Sequence, residues 1–368
     1  MFSKMCKEVG LSPSLGIEWG LKTKMNVKKI SKPFTCAVVG ASGMVGGMFI
    51  KLLEKKSENL PIKKMYLFAS SRSAGTTMNW NNELITVEEL NENSFVGRGI
   101  DVVLFGAGST ASKSFVPLAV KAGCVVIDNA SYWRMDEDVP LIVPEVNKDA
   151  LFNHKGIIAN PNCCAVPAVM ALNPLLDNYG LKRVVISTYQ AVSGGGIKGM
   201  HDLEKTLNGQ KPDFFPHAIA YNVIPHIDIF DEDGYTGEEI KVMNEVRKVL
   251  QLPNLAITST NVRVPVQNGH SLSINVELER PFELDDVREI IKNTPSMILH
   301  DEPEKNIYPM PIIAAGTDDV YVGRLRYDRS CENGLNMWVC ADNTRKGAAT
   351  NAIQILESLI EHENGAIL

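Results

Sequence analysis

The 368-residue sequence contains no run of 18 apolar residues, so nothing in it reads as a transmembrane helix. It has no C-x-x-C and no H-E-x-x-H, the ligand spacings of common zinc sites. His201, His217 and His226 fall at no metal-ligand spacing either, so no metal is expected. Basic residues are not in excess: 37 Lys and Arg stand against 43 Asp and Glu, for a net charge of -6. That balance gives no electrostatic basis for binding nucleic acid or an anionic membrane. The seven cysteines are odd in number and lack paired spacing, which argues against a disulfide framework and for a reducing compartment such as the cytoplasm. Internal repeats and low-complexity tracts are also absent.

Residues 1–33 lack arginine and lack the apolar core of a secretory signal. They carry seven lysines with Glu8 and Glu18, and read as a loose extension in which Met25 is an alternative start. A transit peptide would normally be Arg-rich and poor in acids, so an organellar address stays open without support.

What is present is an ordinary globular composition, 45% apolar and 22% charged, over a length that exceeds one usual core. Two domains are expected. Over 34–162, short apolar runs ("FTCAVV", "MYLFAS", "DVVLFGAG", "CVVIDNA") alternate with helical patterns, which indicates an α/β domain with a parallel Rossmann-type sheet. Over 163–343 the runs lengthen and alternate ("KRVVISTYQAVSG", "AITSTNVRVPV", "HSLSINVELER", "DVYVGRLRYD", "GLNMWVCADN"). They predict an α+β domain on a largely antiparallel mixed sheet. The amphipathic segment 344–368 is expected to return to the first domain.

"GASGMVGG" sets Gly40, Gly43 and Gly46 as G-x-x-G-x-x-G between a strand and a helix. Such glycines let the backbone approach a pyrophosphate at the helix N-terminus, though they would also serve a tight turn without a ligand. An NAD site usually places an acid at the end of the next strand; here "ASSRSAG" offers Ser70, Arg72 and Ser73, which suit a 2′-phosphate. NADP(H) is therefore the expected cofactor.

"ANPNCCAVPAVMALNPLL" places Cys163 and Cys164 between an Asn-Pro-Asn turn and an apolar helix. Pro167 is tolerated only near a first turn, so the helix should start around 163 or 164. A thiol there faces the positive helix end, which favours thiolate, and Cys163 is the better placed of the two. As an isolated pair, the two thiols would equally serve as small apolar fillers.

Together, "GASGMVGG", "SSRSAG", "DNASYWRMDEDVPLIVPEVN", "ANPNCC", "STYQAVSGGG", "RVPVQNGHS" and "ADNTRKGAATNAIQI" resemble aspartate-β-semialdehyde dehydrogenase from about 35 to 362. The resemblance implies a two-domain homodimer or homotetramer of the aspartate pathway to lysine, threonine and methionine. It implies reversible conversion of L-4-aspartyl phosphate and NADPH into L-aspartate 4-semialdehyde, NADP and phosphate. By motif, Cys163 becomes the nucleophile, with Gln190 and the acid/base His270 as catalytic partners. Arg263 is assigned to the substrate carboxylate, Glu238 to its ammonium, and Asn162, Arg134 and Lys241 to phosphate. Cofactor contacts are expected from Gly40, Ser42, Gly43, Met44, Val45, Gly46, Ser70, Arg72, Ser73, Ser193, Gly194 and Asn343. Cys164 stands where the family commonly has Ser or Thr, a departure expected to leave the chemistry untouched.

On spacing alone, Glu238 and Lys241 would be a solvated ion pair on one helix face, and His270 and Arg134 surface residues. Two other functions compete: N-acetyl-γ-glutamyl-phosphate reductase, which would need no acid for a free ammonium, and a non-catalytic NADP-binding redox sensor using the adjacent thiols.

Overall fold

A computed structural model of the chain describes residues 30–363. Most of the extension expected over 1–33, Met25 included, and residues 364–368 of the terminal segment lie outside the described residues.

The first sheet contains β1 (Phe34–Val39), β2 (Ile62–Ala69), β3 (Thr77–Trp80), β4 (Glu83–Glu89), β5 (Val102–Phe105), β6 (Val125–Asp128) and β7 (Ile157–Ala159). Its order is β3-β4-β2-β1-β5-β6-β7, parallel throughout except for β3 against β4. Every residue of β1, β5 and β6 is buried. That is why these strands read as nearly continuous apolar runs, with Thr35 and Asp128 the exceptions: both faces are covered. Cys36, Val38, Val102, Leu104 and Ile127 point to one layer, with α1 (Met44–Lys55). Ala37, Val39, Val103, Phe105 and Val126 point to the other, with α2 (Ser109–Lys121). The β3–β4 hairpin was not foreseen. Asn81 and Asn82, at φ 50° and 64°, form its two-residue turn, the left-handed geometry that hairpin loops demand.

After α3 (Pro144–Asn147) and β7, the helix α4 (Ala165–Tyr179) crosses to the second sheet. That sheet contains β8 (Leu181–Gln190), β9 (Ala256–Arg263), β10 (His270–Leu278), β11 (Met297–Leu299), β12 (Val320–Tyr327) and β13 (Gly334–Ala341), in the order β11-β12-β13-β10-β8-β9. The three inner pairings are antiparallel and the two outer ones parallel, a mixed sheet. Between the strands lie α5 (Gly196–Leu207), α6 (Gly237–Val249), α7 (Leu284–Asn293) and the short α8 (Pro311–Ala314). The core of this half is built from α4, α6 and α7 against one sheet face. α5 was not anticipated, because it begins inside a run of glycines that reads as loop.

Beyond β13 the chain makes a π-helical turn, Arg345–Ala349, and then α9 (Thr350–Glu363), whose Ala352, Ile353, Ile355 and Leu356 join the core of the first sheet. Lys346 is fully buried, with its Nζ on both Glu145 oxygens (2.7 and 2.8 Å), Asn351 and Gln354. Asn351 Nδ2 donates to Asn160 Oδ1 at 2.7 Å, and Asn160 Nδ2 to the Ala348 carbonyl at 3.2 Å. The terminal segment thus grips the turn that precedes the cysteine pair. Among the described residues no helix is long and apolar enough to cross a membrane.

Burial of His154, just before β7, pushes its imidazole down to about 4. The unfolded chain takes up that proton near its ordinary pKa, so between the two values stability falls as pH falls. The loss should reach about 2 kcal/mol by pH 5. Urea titrations at pH 7.5 and 5 should show His154→Gln losing correspondingly less stability than the parent chain.

Candidate active site

β1 lies between β2 and β5, so the crossover direction reverses there and a crevice opens at the strand ends. Gly40 turns at φ +77°, and a Cβ on it would stand 2.9 Å from the Gly106 carbonyl group. A Cβ on Gly46 would stand 2.1 Å from the Gly40 oxygen, so only glycine lets α1 close against the loop. The helix begins on Gly43 with no side-chain cap, which leaves its first N–H groups for an anion. Ser42 Oγ donates to Ser73 Oγ at 3.0 Å, joining this loop to the end of β2. Ser70 and Arg72 are exposed there, and Arg72 makes no ion pair with any described residue. These features fit a dinucleotide.

The crevice continues as a cavity of about 320 Å³ from Met44 and Val45 to Asn162 and Cys163, with Ser193, Gly194 and Asn343 on its wall. Ser193 and Asn343 are hydrogen bonded to each other (3.0 Å), and Asn343 Oδ1 also accepts from the Gly269 N–H. Cys163 is half-buried and precedes α4, which starts at Ala165 with Cys164 as its N-cap, slightly later than the sequence predicts. The Cys163 thiol is held well below the ordinary cysteine range. The first cause is a hydrogen bond from Cys164; burial opposes it, and His270 and Arg263 add to the lowering. Burial pushes Cys164 well above that range, so it keeps its proton and donates. Neighbouring side chains thus act on the Cys163 thiol beside the helix end that the sequence suggested, and Cys164 is the first of them.

His270 opens β10 and is fully buried. One of its ring nitrogens and both cysteine sulfurs lie within 4.8 Å of one another, a grouping that no spacing in the sequence announced. Arg263 ends β9, donates Nη1 to the Ala191 carbonyl at 2.7 Å, and keeps a buried Nε without a partner. Gly194 fits between them: a Cβ there would stand 2.5 Å from Arg263 Nη1 and 3.2 Å from His270 Nε2. Cys163, His270 and Arg263 are therefore neighbours, with Cys163 on the cavity wall and the other two behind Gly194.

Arg134 also lines the cavity, but it is no free surface arginine. It donates Nη1 to Glu245 Oε1 (2.9 Å), Nε to the Asn160 carbonyl and Nη2 to the Asn129 carbonyl. Glu245 is 1% exposed, and its other oxygen accepts the Asn162 N–H at 2.5 Å. It thus ties the arginine to the residue before Cys163, a role sequence reasoning missed. The i, i+3, i+7 spacing of Glu238, Lys241 and Glu245 was the available signal, one helix face carrying three charges. Asn162 Nδ2 donates to Glu238 Oε1 at 2.7 Å, which brings Glu238 into the site. Lys241 does not stand open: its Nζ is 2.5 Å from Asp228 and 3.7 Å from Glu238, away from the cavity wall. Gln190 is buried at the end of β8, donates to Thr188 Oγ1 at 3.3 Å, and likewise does not line the cavity.

Residues 35–154 match the family described as semialdehyde dehydrogenase, NAD binding domain, and 172–346 the dimerisation domain of the same family. Aspartate-semialdehyde dehydrogenase of Aquifex aeolicus is 51% identical over 89% of this chain and 98% of its own length. The Bacillus subtilis enzyme is 44% identical over 88% and 96%. The chain belongs to the aspartate-semialdehyde dehydrogenase family. It is an oxidoreductase with an NAD(P)-binding domain. Aspartate semialdehyde dehydrogenase II of Vibrio cholerae, solved in complex with ASA, superposes with a TM-score of 0.84 at 38% identity, covering 90% of this chain and 99% of that one. A Candida albicans member solved with NADP gives 0.69 at 25% identity, over 90% and 99%.

Two variants probe this geometry. Cys164→Ala should slow alkylation of Cys163 by iodoacetamide below neutral pH and move its pH dependence upward, read by mass spectrometry on the Cys163 peptide. Cys164→Ser, which still donates, should stay close to the parent; an unshifted Ala profile would refute the donor role. Glu245→Ala should destabilise the fold by about 3–5 kcal/mol in urea titration, because it leaves Arg134 buried without its carboxylate.

Proposed function

We propose that this chain catalyses the NADP-dependent, reversible reductive dephosphorylation of L-4-aspartyl phosphate to L-aspartate 4-semialdehyde through a thioester on Cys163. The reaction would serve the aspartate pathway to lysine, threonine and methionine, in the cytoplasm, in a homo-oligomer assembled through the second sheet's domain. The observation that carries the reading is the Cys163 thiol, depressed toward thiolate and open to a cavity it shares with Arg134. The ASA and NADP found with the Vibrio and Candida relatives support the substrate and the cofactor.

In the oxidative direction Cys163 attacks the aldehyde carbon, and His270 serves the oxygen that becomes charged. Arg263, with its unpartnered Nε, would take the substrate carboxylate, and Glu238 its ammonium. Arg134 and Asn162 line the anion pocket from which phosphate would attack the thioester, and Lys241 would join them by exchanging Asp228 for phosphate. Gln190 would help orient the acyl group from the end of β8. NADP, when bound, supplies or accepts the hydride; the Gly40–Gly46 loop would hold its pyrophosphate and Ser70, Arg72 and Ser73 its 2′-phosphate.

The test is NADPH formation from L-aspartate 4-semialdehyde with and without phosphate, run beside N-acetylglutamate semialdehyde. Turnover should need phosphate and the aspartate compound. Cys163→Ser should lower it at least 10³-fold while NADP binding, followed by fluorescence, is retained. Full activity in that variant would sink the assignment. No turnover with either aldehyde would favour a redox sensor.

A further inference from the structure

Cys164 lowers the Cys163 thiol by donating to it, but donation does not call for sulfur: a serine hydroxyl at 164 would donate as well. What a thiol adds is a second nucleophile, and the two sulfurs lie within 4.8 Å of each other. Cys163 lines the cavity, while Cys164 is fully buried. An oxidant that enters the cavity therefore meets the sulfur already held toward its anion, with a protonated thiol beside it. The peptide between the two cysteines stands outside the ladder of α4. In a continuing helix the Cys163 carbonyl would accept from residue 167, but that residue is Pro167, which has no N–H. The Cys164 N–H goes to Asn162 Oδ1 at 2.8 Å. The ladder itself runs from Val166 N–H to the Asn162 carbonyl and from Ala168 N–H to the Cys164 carbonyl. Gly347 keeps the space beside the Cys163 carbonyl clear, since a Cβ on it would stand 3.1 Å from that oxygen. The linking peptide can thus turn at the cost of one side-chain hydrogen bond.

We propose that Cys163 and Cys164 form a modification site for hydroperoxides, in which Cys164 closes a reversible disulfide on oxidised Cys163. In the first step a sulfur pair of Cys163 attacks one peroxide oxygen. The S–O bond forms as the O–O bond breaks, and the departing alkoxide or hydroxide takes a proton from water, leaving Cys163 as sulfenic acid. In the second step the Cys164 sulfur bonds to the Cys163 sulfur as the S–OH bond breaks, and the Cys164 proton leaves with that hydroxyl as water. The two sulfurs lose two electrons and the hydroperoxide gains them. Residues adjacent in sequence have Cα atoms about 3.8 Å apart, below the span of ordinary disulfides, so this bridge is strained and readily reopened by a dithiol. Closed, it withholds the Cys163 sulfur both from an aldehyde and from further oxygen. The inference needs a Cys163 thiol held toward its anion, and it does not need the reaction proposed above.

In the test, the full-length chain is reduced, treated with hydrogen peroxide, denatured and alkylated with iodoacetamide. Mass spectrometry then reads the peptide that carries both cysteines. The parent peptide should be two hydrogens lighter with neither sulfur alkylated, and dithiothreitol should return both thiols. Cys164→Ser should instead give a Cys163 sulfenic acid that dimedone traps, followed by a sulfinic acid that dithiothreitol does not reverse. Sulfinic acid should build up roughly tenfold faster in that variant than in the parent. Equal rates overturn the inference, as does a parent whose Cys163 peroxide leaves unmodified. A lighter peptide that keeps one alkylated sulfur marks a ring closed on backbone nitrogen, and it too overturns the inference, as does a bridge from Cys163 to any other cysteine. NADPH formation, each protein compared with its own untreated sample, should return with dithiothreitol in the parent and not in Cys164→Ser. If the parent shows no phosphate-dependent turnover, the proposed function fails, and the mass readings still decide this inference.

Discussion

A thiol held toward its anion in a half-closed cleft is the demand that organises this molecule. Burial alone would raise the Cys163 thiol, so donors have to outweigh it, and each donor has to be held where it is needed. The second sheet delivers them through strand direction. β8 and β9 run parallel and end side by side, Gln190 beside Arg263, while the antiparallel β10 begins at that same end with His270. Gln190, more than seventy positions away in sequence, therefore meets Arg263 and His270 at one end of the sheet. The first sheet contributes the crevice at its reversal point, and Cys163 lies where the chain passes from one sheet to the other.

The cavity wall at Arg134 has a comparable logic. Arg134 comes from a loop of the first half and Glu245 from α6 of the second, and their buried contact also takes in the Asn162 N–H. A buried ion pair of this kind contributes little net stability compared with apolar packing. What it does fix is the relation between the loop that carries Arg134 and the turn that carries Cys163. Lys248 adds to this by donating to the carbonyls of Arg134, Asp136 and Val139.

Features governed by local pattern were legible in the sequence. The apolar runs of β1, β5 and β6, the alternation of β8, β10 and β13, and the glycine loop before α1 each carry their own signature within ten or so residues. What stayed hidden depended on distant contacts or unrecognised turn chemistry. The Asn81–Asn82 turn has a hairpin signal that was passed over, and α5 starts within glycines. Glu245 meets Asn162 across 83 positions, and Ala191 meets His270 across 79, so neither link leaves a trace in spacing. Lys241 shows what spacing omits. Its spacing from Glu238 is correct for one helix face, yet Asp228, from a loop, claims its charge.

The terminal segment has a bearing on the order in which the molecule can be made. Thr344, Gly347 and Ala348 wall the cavity, and Lys346, Ala348 and Asn351 grip Glu145 and Asn160 from some two hundred positions away. A ribosome emits the two sheets first, and their strands can pair as they emerge. The cleft, however, has one side missing until the last two dozen described residues have left the tunnel and α9 has docked on the opening strands. A chain in mid-synthesis thus carries Cys163 in an unfinished setting, and the site is assembled only once the segment 344–363 has followed the two sheets.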